Sequence, residues 1–263
     1  MATEKIPLNL LTDVTKTVHR VPYPAISPTR PELTQAGKTI LVTGGHTGVG
    51  KAIAKAFIQA SAATVIIVGR RTELVAQGVD DLKQEAEKVG TNTKILSHML
   101  DITILADVDA FWANLKDKGI FVDVLVSNAA RFAKPGKLLE HGTDELWSMY
   151  EANVKAPLRL TENFYKQEGD KQKYLINIST QAVHMWELPD SQNLMTYGVT
   201  KNSGTLLYQV IADETLAEKM QTISVHPGTI FTEVWQNYGV DKTYLQFDEE
   251  DLPDTKTERD MRP

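Results

Sequence analysis

From Lys38 onward, short β-rich runs alternate with helix-length segments, and that alternation leaves the chain very few ways to fold. The runs are Thr39–Thr43, Thr64–Val68, Lys94–Leu100, Val122–Ser127, Tyr174–Ser179 and Thr222–His226. Between them the helical period predicts a helix ending at Gln59, then Thr72–Val89, Leu105–Lys118, Asp144–Lys166 and Asn193–Lys219. Strands separated by helices of this length make right-handed βαβ units. The expected fold class is α/β, a doubly wound parallel sheet of six strands with helices on both faces. Val65–Val68 and Val124–Val126 are continuous apolar runs, as strands covered on both faces require.

Composition removes several functions. A chain of 263 residues can bury one large core. It has no Cys, so disulfides, zinc–thiolate sites, iron–sulfur clusters and cysteine nucleophiles are excluded. No His or acid cluster has metal-ligand spacing, so no catalytic metal is expected. A net charge of -6 argues against a nucleic-acid partner. The longest purely apolar runs are too short to cross a bilayer, and the first residues do not read as a secretion signal. The expectation is a soluble, cytoplasmic protein.

Thr43-Gly-Gly-His-Thr-Gly-Val-Gly50 joins the first strand to the first helix. Glycines there let the backbone turn tightly and approach a pyrophosphate. The helix N-terminus offers the anion free N–H groups and the positive end of its dipole. Strand before and helix after give this turn the context that a lone Gly-rich motif lacks. Its spacing, T-G-x-x-x-G-x-G, resembles the short-chain dehydrogenase/reductase family, whose fold is the Rossmann fold. The resemblance runs from about Lys38 to Thr232. The segment Tyr23–Leu33 looks like the opening of fungal members.

The resemblance implies a bound dinucleotide. Its turn would be held by Gly44, Thr47, Gly48, Val49 and Gly50. NAD-preferring members carry an acid at the end of the second strand, where this chain has Gly69 followed by Arg70 and Arg71. An acid would repel a 2′-phosphate, whereas a guanidinium grips one bidentately. NADP (NADPH) is therefore the expected cofactor. The turn lacks the basic residue many NADP users place before the second Gly; Thr47 stands there, with His46 and Lys51 as nearby substitutes. The family's adenine-binding position falls on Asp101, which could equally cap the following helix. Asn128 and Ala129 match its N-N-A-G, but Ser127 and Ala130 do not.

Tyr197 and Lys201 form a Y-x-x-x-K, one turn apart on one helical face. A fixed ammonium favours phenolate and should lower the phenol's pKa. Tyr197 could then exchange a proton with a carbonyl or alcohol oxygen. In the family the Lys also bonds the nicotinamide ribose. The family's substrate-holding hydroxyl falls on Thr180, with Ser179 as the alternative. Asn153 matches the Asn that interrupts a long helix and completes a proton relay. Gly228, Ile230 and Thr232 match P-G-x-x-x-T, which holds the nicotinamide end. The Gln181–Asn193 insert, with His184, Met185, Trp186 and Leu188, should flank the substrate. Arg131, Phe132, Trp235 and Tyr238 are further candidates.

The expected organisation is an extended arm over 1–37, a catalytic dinucleotide domain over 38–239 and a charged tail over 240–263. Four prolines between Val21 and Pro31 rule out a helix in the arm. Family members normally continue into a seventh strand, so this chain reads as shortened, with its sixth strand exposed. The expected reaction moves hydride between nicotinamide and a carbonyl or alcohol of a medium-sized, natural-product-like small molecule. A non-catalytic dinucleotide binder and a redox-neutral enzyme are the alternatives. The two long helices are the candidate faces for a homo-oligomer.

Overall fold

Burial of the central strands on both faces sets the architecture. In β1 (Thr39–Thr43), Ile40 and Val42 pack on one side of the sheet while Leu41 packs on the other. Neighbouring β2 (Thr64–Gly69) divides likewise, with Val65 and Ile67 on one face and Ile66 and Val68 on the other. The computed structural model describes residue 19, residues 21–184, 194–237 and residue 239.

Six parallel strands run in the order β3-β2-β1-β4-β5-β6. The remaining four are β3 (Lys94–Met99), β4 (Val124–Ser127), β5 (Lys173–Ile178) and β6 (Met220–Val225). The order reverses between β1 and β4, which opens a crevice at their carboxyl ends. Helices α1 (Gly48–Gln59) and α2 (Thr72–Val89) cover one face through Ala54, Ile58, Val75 and Leu82. Helices α3 (Leu105–Asp117), α5 (Ala156–Tyr165) and α6 (Met195–Glu214) cover the other through Phe111, Leu160, Phe164 and Tyr208. Each fully buried Leu, Ile or Phe here stabilises the fold by about 1.5–3 kcal/mol.

Asp144–Lys166 is not the single helix that its period predicts. Helix α4 begins earlier, at Leu138, and runs to Tyr150 across a kink at Gly142, whose φ is 78°. A π-helical turn, Glu151–Lys155, then joins α4 to α5. Pro157 explains the break. It has no N–H, so the Asn153 carbonyl lacks its ordinary donor four residues on.

Before the sheet, Pro24–Ile26 and Pro31–Leu33 form two short 3₁₀ turns that bury no residue. The Gln35 amide ties this segment to the Ala60 carbonyl after α1. Among the described residues β6 is an edge strand, with Ile223 and Val225 exposed. A short helix, α7 (Glu233–Asn237), follows the loop after β6. Residues 240–263, the expected tail, lie outside the described residues. Among the described residues no helix is long and apolar enough to cross a membrane, and no group of His, Asp and Glu is placed to hold a metal.

Candidate active site

The glycine turn closes against its neighbours so tightly that larger residues cannot enter. A Cβ on Gly50 would lie 2.4 Å from the Gly44 carbonyl oxygen and 2.5 Å from Asn128 Nδ2. At Gly48, φ is 50°, and a Cβ would meet the Thr232 methyl at 3.3 Å. The turn and the loop after β6 therefore meet. Thr47 precedes α1 without a side-chain cap, so the first N–H groups of that helix are free of one. This cradle fits a dinucleotide pyrophosphate.

Thr43 and Asn128 build the floor. The Thr43 hydroxyl accepts the amides of Asn128 and Ala129, each at 2.9 Å, and donates to the Val126 carbonyl. Asn128 Nδ2 donates to the Thr43 carbonyl at 2.9 Å. Asn128 thus ties β4 to the glycine turn, a bracing role that the motif match alone does not reveal. Thr43 is a second brace; its only sequence signal is its place at the head of the turn.

On the adenosine side, Arg70 and Asp101 face each other, Nη1 to Oδ2, at 3.6 Å. Asp101 also accepts the Thr103 amide and hydroxyl; it closes the turn before α3 and does not cap the helix itself, whose N-cap Ile104 has no side-chain cap. Burial alone would raise the Asp101 carboxyl, but the Thr103 hydrogen bonds and Arg70 outweigh it and hold the carboxyl below its ordinary range. Arg71 is exposed, at the start of α2. The Lys51 amine pairs with Asp81 of α2 at 2.7 Å.

The catalytic candidates converge at the carboxyl end of β5. Lys201 is 6% exposed, and its Nζ donates to the Ile178 carbonyl at 2.7 Å. Burial pushes this amine down to about 8. Tyr197, one turn earlier, packs its ring on Phe132 at 4.6 Å, and Phe132 meets Trp235 at 5.4 Å. Burial holds the Tyr197 phenol above its ordinary value. The expected lowering by a neighbouring ammonium is not seen in the protein itself: burial is the cause acting on the phenol, and the amine is turned to the Ile178 carbonyl.

Ser179 and Thr180 part company. The Ser179 hydroxyl is 2.7 Å from that of Thr205 on α6. The Thr180 hydroxyl accepts the Ala182 amide at 3.2 Å, which leaves its proton free to donate. Asn153 is 3% exposed in the π turn. Its Nδ2 donates to the Arg131 carbonyl and the Thr200 hydroxyl, and its Oδ1 accepts the Arg131 amide. A Cβ on Gly204 would come within 2.8 Å of the Asn153 carbonyl oxygen, so that carbonyl faces α6 just beyond Lys201.

The sequence matches the model of the short chain dehydrogenase family over residues 38–243. The chain belongs to that family. Short-chain dehydrogenases are oxidoreductases that bind NAD(P). The chain is 30% identical to the short chain dehydrogenase/reductase AacuD of Aspergillus aculeatus, across 87% of this chain and 76% of that protein. It is 27% identical to the short chain dehydrogenase pigC of Monascus ruber, across 84% of this chain and 71% of that protein. Among solved structures, a short-chain dehydrogenase from Streptomyces avermitilis superposes with a TM-score of 0.64 at 29% identity, over 76% of this chain and 69% of that one. One from Shigella flexneri, complexed with NADP, reaches 0.69 at 19% identity, over 83% and 88%; that likeness is one of fold.

The P-G-x-x-x-T segment of this short-chain dehydrogenase returns to the glycine turn. Gly228 takes a φ of 94°, and Ile230 and Thr232 follow it to the glycine turn. One residue escaped sequence reasoning. His141 bonds Thr196, the neighbour of Tyr197, and the Lys134 carbonyl, and it belongs to no motif. Arg131, a candidate for the substrate pocket, pairs with Glu145. Of the insert, Gln181–His184 forms a 3₁₀ turn with His184 exposed. Met185, Trp186 and Leu188 lie outside the described residues, as does Tyr238.

Proposed function

We propose that the chain is an NADP-dependent reductase of a carbonyl group on a medium-sized, partly aromatic small molecule. One observation carries this reading: Lys201 reaches the carboxyl end of β5, where the Thr180 hydroxyl follows the strand, and Tyr197 lies one turn before Lys201 with its ring on Phe132. Arg70 and Arg71, with no acid at Gly69, favour the 2′-phosphorylated dinucleotide. The nicotinamide, when bound, supplies the hydride. Thr180 donates to the substrate oxygen and fixes it. Tyr197, held neutral by burial, gives its proton to that oxygen, and Lys201 offsets the charge left on the phenol. Phe132 and Trp235 form the apolar wall that would receive an aromatic substrate and exclude water.

The aromatic wall of Phe132 and Trp235 supports a natural-product-like substrate. Exposed Trp147 on α4, with Leu206 and Val210 on α6, supports a homo-oligomer built through these helices. The test is a panel of ketones and aldehydes assayed with NADPH and with NADH. Tyr197→Phe should keep dinucleotide binding and lose about 10²–10⁴-fold in turnover. Equal turnover in the variant, or dinucleotide binding with no turnover on any carbonyl, would overturn the reading.

A further inference from the structure

His46 lies in the glycine turn, yet its side chain is committed to the end of β2. A Cβ on Gly69 would sit 2.5 Å from its Cε1 and 2.6 Å from its Nδ1. A Cβ on Gly78 of α2 would sit 2.8 Å from its Cα and Cβ. Two glycines on separate elements thus make room for one imidazole. The residue is 8% exposed, and Nδ1 has no hydrogen-bond partner. An unpaired buried polar atom of this kind destabilises a protein. A ligand that engages the ring would offset that.

The place of the ring says which ligand. In an open parallel sheet the adenosine ribose lies by the end of the second strand, where an acid would hold its hydroxyls. Here imidazole fills the space in which an acid's side chain would begin, so the two are mutually exclusive. The charges around it are Arg71 and Arg70 after β2, Asp101 paired with Arg70, Lys51 paired with Asp81, and Glu233 on α7. Burial first, then Arg71, lowers the imidazole's pKa, and Glu233 opposes them. The ring is therefore neutral near pH 7 and has a proton to gain.

We propose that His46 selects the 2′-phosphorylated dinucleotide by taking up a proton from solvent as that phosphate binds beside it. This rests on the dinucleotide reading above. A phosphate dianion favours the charged imidazole, whereas a ribose hydroxyl does not. Falling pH should therefore tighten binding of the phosphorylated nucleotide alone, until the phosphate itself protonates near its second pKa of about 6.

Calorimetry on the full chain tests this, with 2′,5′-ADP and 5′-AMP as probes in two buffers of different ionisation enthalpy. Both probes carry the same titrating 5′-phosphate, so the difference between them reports the 2′-phosphate alone: the wild-type protein should take up more protons with 2′,5′-ADP than with 5′-AMP near pH 7. The arginines alone would draw a proton off the 2′-phosphate and reverse that difference, so its sign decides even in the wild type. His46→Asn should abolish the uptake and weaken 2′,5′-ADP about tenfold at pH 6.5, with a smaller loss at pH 8. Gly69→Asp should fold only together with His46→Ser, and that pair should prefer 5′-AMP. Proton uptake with 2′,5′-ADP no greater than with 5′-AMP in the wild type, or equal loss of both probes in His46→Asn, overturns the inference while leaving the dinucleotide reading intact. Failure of NADPH, NADH and both probes to bind overturns both.

Discussion

Replacing Lys201 by Met should make the protein more stable while destroying its activity. The amine falls from its ordinary value of 10.5 to about 8 because it is buried. That difference corresponds to about 3 kcal/mol of destabilisation at neutral pH, where the amine is charged in both states. Met fills similar volume without the charge. It leaves the Ile178 carbonyl without its 2.7 Å donor, which costs about 1 kcal/mol. The net gain is about 2 kcal/mol, or about 4–8 °C in Tm. The sign with pH is specific. Between about 8 and 10.5 the unfolded wild type holds a proton that the folded one has lost, so wild-type stability rises with pH there. The variant has no such rise, and its advantage must shrink between pH 7 and pH 10. Urea unfolding at both pH values measures this. A variant less stable than wild type at pH 7, or an advantage unchanged at pH 10, refutes the reasoning.

Thr180→Ala should lower kcat about 10²-fold or more, whereas Ser179→Ala, whose hydroxyl is spent on Thr205, should change it only a few-fold; steady-state kinetics on one ketone separates them. Asn153→Ala removes three hydrogen bonds and leaves both backbone groups of Arg131 unpaired. It should lower stability by about 3 kcal/mol in urea unfolding and reduce kcat more than it changes NADPH affinity.

The sheet was legible because β1, β2 and β4 are apolar without interruption, a pattern only strands covered on both faces sustain. Helix α2 was legible to its last residue because Gly90 stops it in the left-handed conformation. Helix α4 was not. Its first turn lies beyond Gly142, whose positive φ breaks the helical period from which its start was read. Motif position located Tyr197, Lys201 and Asn153, but not what each touches. That Lys201 bonds a strand carbonyl, or that Gly69 and Gly78 admit His46, depends on contacts between elements far apart in sequence, which no local spacing encodes.

Desolvation at Tyr197 and Lys201 also bears on the proton step of the proposed reduction. A phenol held above its ordinary value keeps its proton at neutral pH and enters that step as the donor. As that proton leaves, negative charge grows on the phenol oxygen, and only a charged Lys201 can offset it. The amine is charged below about 8 and neutral above. Reduction should therefore run at a constant kcat below that value and decline as pH rises through it. A kcat profile that stays level to pH 10 would mean that the amine plays no electrostatic part, and that its bond to the Ile178 carbonyl serves only to anchor α6 to the sheet.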